Sequence, residues 1–204
     1  MKLKLLFATQ NEGKLKEVKK IFNSRIFQII SLNEYSDIPE IIEGADTFEG
    51  NAVIKAKTVY EKFQIPVIAD DSGLVVEQLN GEPGIHSARY AGENSTYPEN
   101  NKKLLKELHK FSEPHLAKFI CCAVFYDGEN IISTFGELKG KIIHDFKGQN
   151  GFGYDPIFVA EGFGKTLAEI SFEEKNKISH RAEAFKKLEK LIEKNFRENK
   201  LSQK

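Results

Sequence analysis

The chain has 204 residues, of which 40% are apolar, so it can bury one sizeable core and has the usual size of a single domain. Thirty basic residues balance thirty acidic ones. This balance argues against duplex nucleic acid as a partner but allows a small anionic ligand. No apolar run approaches the roughly 18 residues of a membrane-spanning helix, and the chain begins without an apolar signal stretch. We expect a cytoplasmic protein with no membrane or nucleic-acid polymer as partner, whose residues 1–204 form one domain with two lobes.

The two cysteines, Cys121 and Cys122, are adjacent in the apolar run 119–126. Consecutive residues of a strand point to opposite faces, so a disulfide between them is not expected. Two thiols also cannot supply a four-ligand metal site. We predict that both cysteines are buried and reduced, as in a cytosolic protein.

Hydrophobic periodicity predicts the elements of the first third of the chain. A buried strand over 3–8 precedes the polar turn Thr9–Lys14 and an amphipathic helix, and a second strand covers 27–32. An acidic loop then leads to a helix over 47–63, which Thr47 is placed to cap.

The remaining chain mixes helices with longer strands. A short strand over 67–69 is predicted to stop at Asp70-Asp71, and apolar character resumes at 74–76. The later predicted elements are a helix over 97–111, a hairpin of strands 117–126 and 131–141, a short strand over 157–159 and a helix over 179–196. The hairpin among alternating strands and helices favours an α/β fold with a mixed sheet and flanking helices over a purely parallel one.

The adjacent carboxylates Asp70 and Asp71 are the first candidate for chemistry, because α/β folds present ligand-binding groups at strand ends. Two neighbouring carboxylates repel each other, so a buried pair favours a bound cation such as Mg²⁺, which prefers oxygen ligands. The pair can also act as a general base toward water. A solvated acidic turn is the alternative.

Two further segments, a polar turn and a glycine-rich loop, offer ligand-binding groups. The turn Thr9–Lys14 can receive a phosphate at the N-terminus of a helix, although an ordinary cap by Thr9 or Asn11 is the favoured explanation of this motif taken alone. The glycine-rich loop Gly148–Asp155 carries Phe152 and Tyr154, which can enclose a flat base or simply fill core.

Cations gather before and at the start of the last helix, as Lys175, His180 and Arg181. Positive charge there opposes the helix dipole, so a bound anion would explain it, although a single histidine is more often structural. Lys55 and Lys57 on the helix over 47–63, with Glu43 and Glu49 nearby, are weaker candidates, since most helical lysines are only solvated.

Taken together, five strings resemble the inosine triphosphate pyrophosphatases, also described as dITP/XTP or non-standard purine NTP pyrophosphatases. They occur in the family's order and spacing over nearly the whole chain: Ala8–Lys14, Ile68–Leu74, Pro83–Tyr90, Gly151–Phe158 and Ile178–Arg181. The resemblance implies an elongated α/β fold with two lobes around a nucleotide cleft, usually a homodimer. It implies Mg²⁺-dependent hydrolysis of ITP, dITP and XTP to the monophosphate and pyrophosphate, which clears them from the nucleotide pool.

The resemblance also implies a role for each matching residue. Asp71 would be the catalytic base and a metal ligand, and Glu43 the second metal ligand, with Asp70 and Glu49 possible. The triphosphate would be contacted by Thr9, Asn11 and Lys14, and its charge would be balanced by Lys55. Ser72 would contact the substrate. The base would be held by Phe152, Gly153, Tyr154 and Asp155 and read by Lys175, His180 and Arg181.

One segment departs from the family's pattern. Members usually carry Phe-x-Glu-Asn-Ala, whereas this chain has Phe48-Glu49-Gly50-Asn51-Ala52, with glycine at the usual glutamate position. A shift of one residue turns a helical side chain by about 100°. Either Glu49 or Glu43 therefore completes the metal site. Two alternative functions stay open: a pyrophosphatase for modified pyrimidine nucleotides, and a nucleotide sensor without turnover.

Overall fold

The computed structural model describes residues 2–202, and it confirms the predicted α/β fold with a mixed sheet and flanking helices. Its strands are β1 (Leu3–Phe7), β2 (Phe27–Ser31), β3 (Val67–Val76), β4 (His115–Tyr126), β5 (Ile131–Ile142) and β6 (Phe158–Ala160). Its helices are α1 (Glu12–Ile21), α2 (Phe48–Phe63), α3 (Tyr97–Leu108), α4 (Phe172–Ile178) and α5 (His180–Ser202). No helix in the described residues is both long and apolar enough to cross a membrane.

The strands form one six-stranded sheet in the order β2-β1-β3-β4-β5-β6. Strand β1 is parallel to β2, with Leu5 opposite Ile29, and parallel to β3, with Leu6 opposite Val67. Strands β5 and β6 are antiparallel. The parallel pairs require crossover connections, which α1 and α2 provide, whereas four residues suffice to join β4 to β5.

The chain divides into two compact units, and β3, β4 and β5 contribute residues to both. Unit 1 contains the chain up to Asp71, the segment Cys121–Gly136 and the chain from Arg181 onward. Unit 2 contains Ser72–Ile120 and Glu137–His180.

Unit 1 has an apolar cluster on each side of its strands. Leu5 and Phe7 of β1 pack with residues of α1 and α5, whereas Leu6 packs with residues of α2. This alternation is the period-two pattern of a strand buried on both faces. Cys121 and Cys122 lie in these two opposite clusters, so the prediction of two buried, free thiols is confirmed. Unit 2 has its own core, built from β3, α3, β4 and the segment around β6.

Local capping explains where the first two helices begin. The Asn11 side chain accepts a hydrogen bond from Lys14 N at 3.1 Å, and Thr47 Oγ1 accepts one from Gly50 N at 3.0 Å. Both helices therefore start with an otherwise unpaired backbone N–H satisfied by a side chain. The predicted capping role of Thr47 is confirmed.

The structure corrects several predicted boundaries and adds one helix. Strand β3 does not stop at Asp70 but continues through Asp70-Asp71-Ser72-Gly73 to Val76. Buried carboxylates can stay inside a strand here because cationic side chains from other elements pair with them, which a local polarity pattern cannot anticipate. Helix α3 ends at Leu108 rather than at 111, and α4 was not predicted. The seven residues of α4 are too few to show a clear helical period.

Candidate functional site

The two adjacent carboxylates of β3 point to opposite faces of the strand, because they are consecutive residues. Both are buried, with exposed fractions of 1% for Asp70 and 6% for Asp71. Burial of an unpaired carboxylate is strongly unfavourable, so each requires its own cationic partner. The two carboxylates therefore have different cationic partners.

Asp70 pairs with two cations through the same oxygen. Its Oδ2 lies 2.9 Å from Lys14 Nζ and 3.3 Å from Arg181 Nε. Burial raises the pKa of Asp70, but the charges of Lys14 and Arg181 outweigh this effect and hold the pKa well below its ordinary value. Asp70 is thus a fixed negative charge.

Arg181 is itself buried and contacts a second carboxylate. Its Nη1 donates to Glu17 Oε2 at 2.7 Å, and both side chains are 2% exposed. Burial lowers the pKa of Arg181, yet Asp70 and Glu17 more than compensate, so the guanidinium stays charged. Glu17, on α1, was missed by sequence analysis. The local feature that could have identified Glu17 is its position on the buried side of the amphipathic helix α1.

Asp71 shares a lysine with Glu43. Lys55 Nζ lies 2.9 Å from Asp71 Oδ1 and 3.1 Å from Glu43 Oε1, and it also donates to the backbone oxygen of Asp70 at 3.2 Å. Burial lowers the pKa of Lys55, but the charges of Asp71 and Glu43 raise it by a larger amount. The pKa therefore lies above its ordinary value, and the ammonium keeps its charge. One helical turn before Lys55, Asn51 Nδ2 donates to Asp71 Oδ2 at 3.4 Å.

These residues form one connected set in unit 1, which we call the carboxylate network. It comprises Glu17, Glu43, Asp70 and Asp71 with Lys14, Lys55 and Arg181. Glu43 is its most exposed carboxylate, with 27% of the side chain accessible. The carboxylate network is therefore most accessible to solvent at Glu43, which shares Lys55 with Asp71.

The local contacts of the turn Thr9–Lys14 are those of an ordinary helix cap. Thr9 Oγ1 accepts from Asn11 N at 3.2 Å, and Asn11 caps α1. Lys14 directs its ammonium to Asp70. The turn therefore fixes the position of a charged residue of the carboxylate network, and its contact with phosphate stays a prediction.

Glu43 and Glu49, which the sequence predicts as alternative metal ligands, occupy different surroundings. Glu43 shares Lys55 with Asp71, whereas a carboxylate oxygen of Glu49 accepts a hydrogen bond from Ser133 Oγ. At Gly50, an added Cβ would lie 2.6 Å from Ala45 Cβ. The loop before α2 thus packs against the position where the family usually carries glutamate, which gives a steric reason for the glycine.

In unit 2, the glycine-rich loop Gly148–Asp155 is held by a buried ion pair. Asp155 pairs with Lys175 of α4 and also accepts from Phe152 N at 2.9 Å. Lys175 Nζ lies 4.5 Å from the centre of the Phe152 ring. At Gly151, whose φ is +74°, any Cβ would collide with the Asp155 carboxylate. The loop therefore presents an aromatic ring with a cation against it.

Three more of the predicted base-binding residues, Gly153, Tyr154 and His180, also lie in unit 2, whereas Arg181 lies in unit 1. Tyr154 is buried and donates through its hydroxyl to Ser87 O at 3.0 Å, as expected for a core residue. The oxygen of Gly153 accepts from Asn101 Nδ2 at 3.0 Å, a contact that the sequence did not indicate. The His180 ring stacks on Phe119, with centroids 4.8 Å apart and planes inclined by 10°. Ser72 is half-buried in β3.

Comparison with known proteins identifies relatives along nearly the whole chain. The model of the Ham1 family matches residues 5–191. A dITP/XTP pyrophosphatase of Caldanaerobacter subterraneus is 47% identical over 97% of this chain and 100% of its own length. The dITP/XTP pyrophosphatase of Bacillus subtilis is 46% identical over 92% of this chain and 96% of its own.

Solved structures of Ham1 proteins have the same fold. The Staphylococcus aureus Ham1 protein superposes with a TM-score of 0.83 at 38% identity, covering 94% of this chain and 99% of its own. A HAM1 protein from Coxiella burnetii gives a TM-score of 0.85 at 36% identity with the same coverage. Sequence and structure therefore point to the same set of relatives.

Proposed function

The chain belongs to the Ham1 family, and on that premise we propose that it hydrolyses the non-standard purine nucleoside triphosphates ITP, dITP and XTP to the monophosphate and pyrophosphate. Near-full-length relatives at 46–47% identity carry the name dITP/XTP pyrophosphatase. The structural observation that carries the proposal is the group Glu43–Lys55–Asp71, in which two carboxylates contact one buried lysine ammonium. Such a group suits the handling of phosphate charge together with a metal ion.

The donor chemistry of this group fits Mg²⁺. Glu43 and Asp71 each have a second carboxylate oxygen that the Lys55 ammonium does not contact, and hard oxygen atoms are the ligands Mg²⁺ prefers. We assign Glu43 and Asp71 as the residues that would hold the ion, with Asp70 and Glu49 as lesser candidates. When bound, Mg²⁺ would supply positive charge at the phosphates and lower the pKa of a coordinated water.

Asp71 is the proposed general base. Its carboxylate takes a proton from the attacking water, and hydrogen bonds from Lys55 and Asn51 hold that carboxylate in place. The water oxygen bonds to the α-phosphorus, the bond from that phosphorus to the bridging oxygen breaks, and pyrophosphate leaves. Lys55 and Lys14 balance the charge that builds on the phosphates. Thr9 and Asn11 complete the proposed phosphate contacts, and Ser72 is a further proposed contact with the substrate.

The base of the substrate is assigned to unit 2. Phe152 offers a stacking surface, and Gly153, Tyr154 and Asp155 shape the loop that carries it. Lys175 and His180 can donate to the six-position oxygen of hypoxanthine or xanthine, where adenine carries a donating amino group. In this proposal Arg181 acts through Asp70, because its guanidinium lies between Asp70 and Glu17.

The proposal extends to the organisation of the protein. Residues 1–204 would act as a single pyrophosphatase domain made of the two units, as a cytoplasmic homodimer without a nucleic-acid polymer or membrane as partner. Size-exclusion chromatography with light scattering measures the proposed dimer directly. A monomer at micromolar concentration would contradict it.

A substrate panel tests the proposed activity. Pyrophosphate release is measured with ITP, dITP, XTP, ATP and modified pyrimidine triphosphates, with Mg²⁺ and with a chelator in its place. We expect fast release from the three non-standard purine nucleotides, slow release from ATP, and loss of activity with the chelator. Preference for a modified pyrimidine would favour the alternative pyrophosphatase, and binding without release would favour a sensor.

A further inference from the structure

A second group of metal-binding side chains lies in unit 2, at the beginning of β4 and just after the end of β5. His115 is the first residue of β4, Glu113 precedes it by two positions, and His144 follows β5. His115 Nε2 lies 3.0 Å from His144 Nε2, and His144 Nε2 lies 3.7 Å from Glu113 Oε1. One ligand atom of each residue lies within 4.8 Å of the other two. None of the three residues has a role in the proposed hydrolysis.

We propose that Glu113, His115 and His144 bind a single transition-metal dication of the Zn²⁺ type. Zn–N bonds of about 2.0–2.1 Å in a tetrahedral shell place neighbouring ligand atoms ~3.3 Å apart. The distances of 3.0 and 3.7 Å lie on either side of this value. Two imidazoles and one carboxylate are also a ligand set that zinc adopts in proteins, with a fourth position left for water.

The surroundings of His115 orient it as a ligand. Gln78 Nε2 donates to Ser112 O at 2.8 Å, which leaves Gln78 Oε1 as the acceptor for His115 Nδ1 at 2.7 Å. His115 Nδ1 therefore carries the proton, and the lone pair of Nε2 faces His144. A hydrogen bond that fixes the tautomer of a histidine ligand is the usual supporting contact of a metal site.

Exposure makes the site accessible while keeping it ordered. His115 is fully buried, whereas 38% of the His144 side chain and 69% of the Glu113 side chain are exposed. An ion can therefore reach the two exposed ligands from solvent and meet a fixed imidazole behind them. Its binding would hold together the start of β4 and the chain after β5 and thereby stabilise unit 2.

The ligand chemistry separates this site from the proposed Mg²⁺ site. Imidazole nitrogen suits Zn²⁺, Cu²⁺ and Ni²⁺, whereas Mg²⁺ prefers carboxylates, phosphates and water. Excess Mg²⁺ should therefore occupy the carboxylate network without displacing Zn²⁺ from the histidines. This difference allows the new site to be titrated by itself.

The test is a calorimetric Zn²⁺ titration of the untagged full-length protein in excess Mg²⁺. We expect one Zn²⁺ per chain. His144→Gln and Glu113→Gln change exposed ligands, so the fold should survive, and His144→Gln should weaken binding by at least about 100-fold. Gln78→Met should weaken it by about 10–100-fold, as is typical for loss of a supporting contact. Co²⁺ in place of Zn²⁺ should give the visible bands of a tetrahedral ion, and His144→Gln should abolish them.

Two control variants make the result specific. His86→Gln removes an exposed imidazole elsewhere in unit 2 and should leave Zn²⁺ binding unchanged. Asp71→Asn alters the carboxylate network and should also leave it unchanged. Absence of Zn²⁺ binding by the wild type would overturn the proposal and leave only a hydrogen bond between the two rings. Binding that survives His144→Gln but disappears in Asp71→Asn would overturn it as well.

Discussion

In unit 1, four carboxylates and three cations meet in the carboxylate network, and each charge has an opposite partner within about 3 Å. In unit 2, the glycine-rich loop has a buried ion pair, Asp155 with Lys175, beside an aromatic ring. The first arrangement suits a reaction in which charge changes, because its dipoles and charges are already oriented. The second suits recognition of a flat, polar ring. Changes in unit 1 should therefore reduce turnover or folding, and changes in unit 2 should affect substrate affinity.

Asp71→Asn provides the largest expected effect and tests the catalytic side of this comparison. Loss of a general base should lower kcat by about 10²–10⁴-fold, while KM changes little. Steady-state kinetics with ITP measure both. Asp37→Asn, which alters an exposed carboxylate of the same unit, is the matched control. Wild-type turnover in Asp71→Asn would exclude Asp71 as the base.

Arg181→Met tests whether the carboxylate network needs its buried cation for folding. The substitution leaves Asp70 and Glu17 without the guanidinium between them, and breaking such a buried group costs about 3–5 kcal/mol. Urea unfolding measures the change in the free energy of unfolding. Arg197→Met removes an exposed arginine paired with Glu193 and should cost less than about 1 kcal/mol. Equal costs for the two variants would contradict this assignment.

Phe152→Leu tests the recognition side of the comparison. Stacking of a base on an aromatic ring contributes about 1–3 kcal/mol, so KM for ITP should rise by roughly 10-fold while kcat stays near the wild-type value. Phe146→Leu, an exposed phenylalanine of the same unit, is the control. A fall in kcat without a change in KM would place Phe152 on the catalytic side.

Gly50→Ala sharpens the account of the segment that departs from the family's pattern. An alanine inside a helix normally stabilises a protein by about 0.5–1 kcal/mol relative to glycine. Here the added Cβ would lie 2.6 Å from Ala45 Cβ, so we expect the variant to be less stable than the wild type. Thermal unfolding measures whether the substitution raises or lowers the Tm. A rise in Tm would show that the loop before α2 adjusts without cost.

The smallest expected effect concerns the two cysteines of unit 1, whose ionisation makes the free energy of unfolding depend on pH. Burial, followed by the charges of Glu49 and Asp71, raises the pKa of Cys122 to about 12, and burial also raises that of Cys121. Their contribution to stability is complete below the pKa of an unfolded thiol, about 8.5, and is lost as the pH rises toward 12. A thiol reagent at pH 8 should modify both cysteines in urea and neither in the native protein. Rapid labelling of the native protein would contradict their burial.

Local sequence patterns predict most of the fold. The boundaries of β1, β2 and α2, the hairpin of β4 and β5 and the start of α5 followed from periodicity and capping, which depend on residues close in sequence. The path of β3 did not, because its two carboxylates are compensated by lysines and an arginine from other parts of the chain.

The sequence by itself determined the family, the class of fold and the residues that could carry chemistry, since these are written in motifs and short-range periods. Only the tertiary structure decided how those residues are paired. Arg181 contacts Glu17 across 164 positions and Asp70 across 111, and no local pattern encodes such contacts. The meeting of His115 with His144 is of the same kind, because it depends on which strand ends become neighbours when the sheet forms.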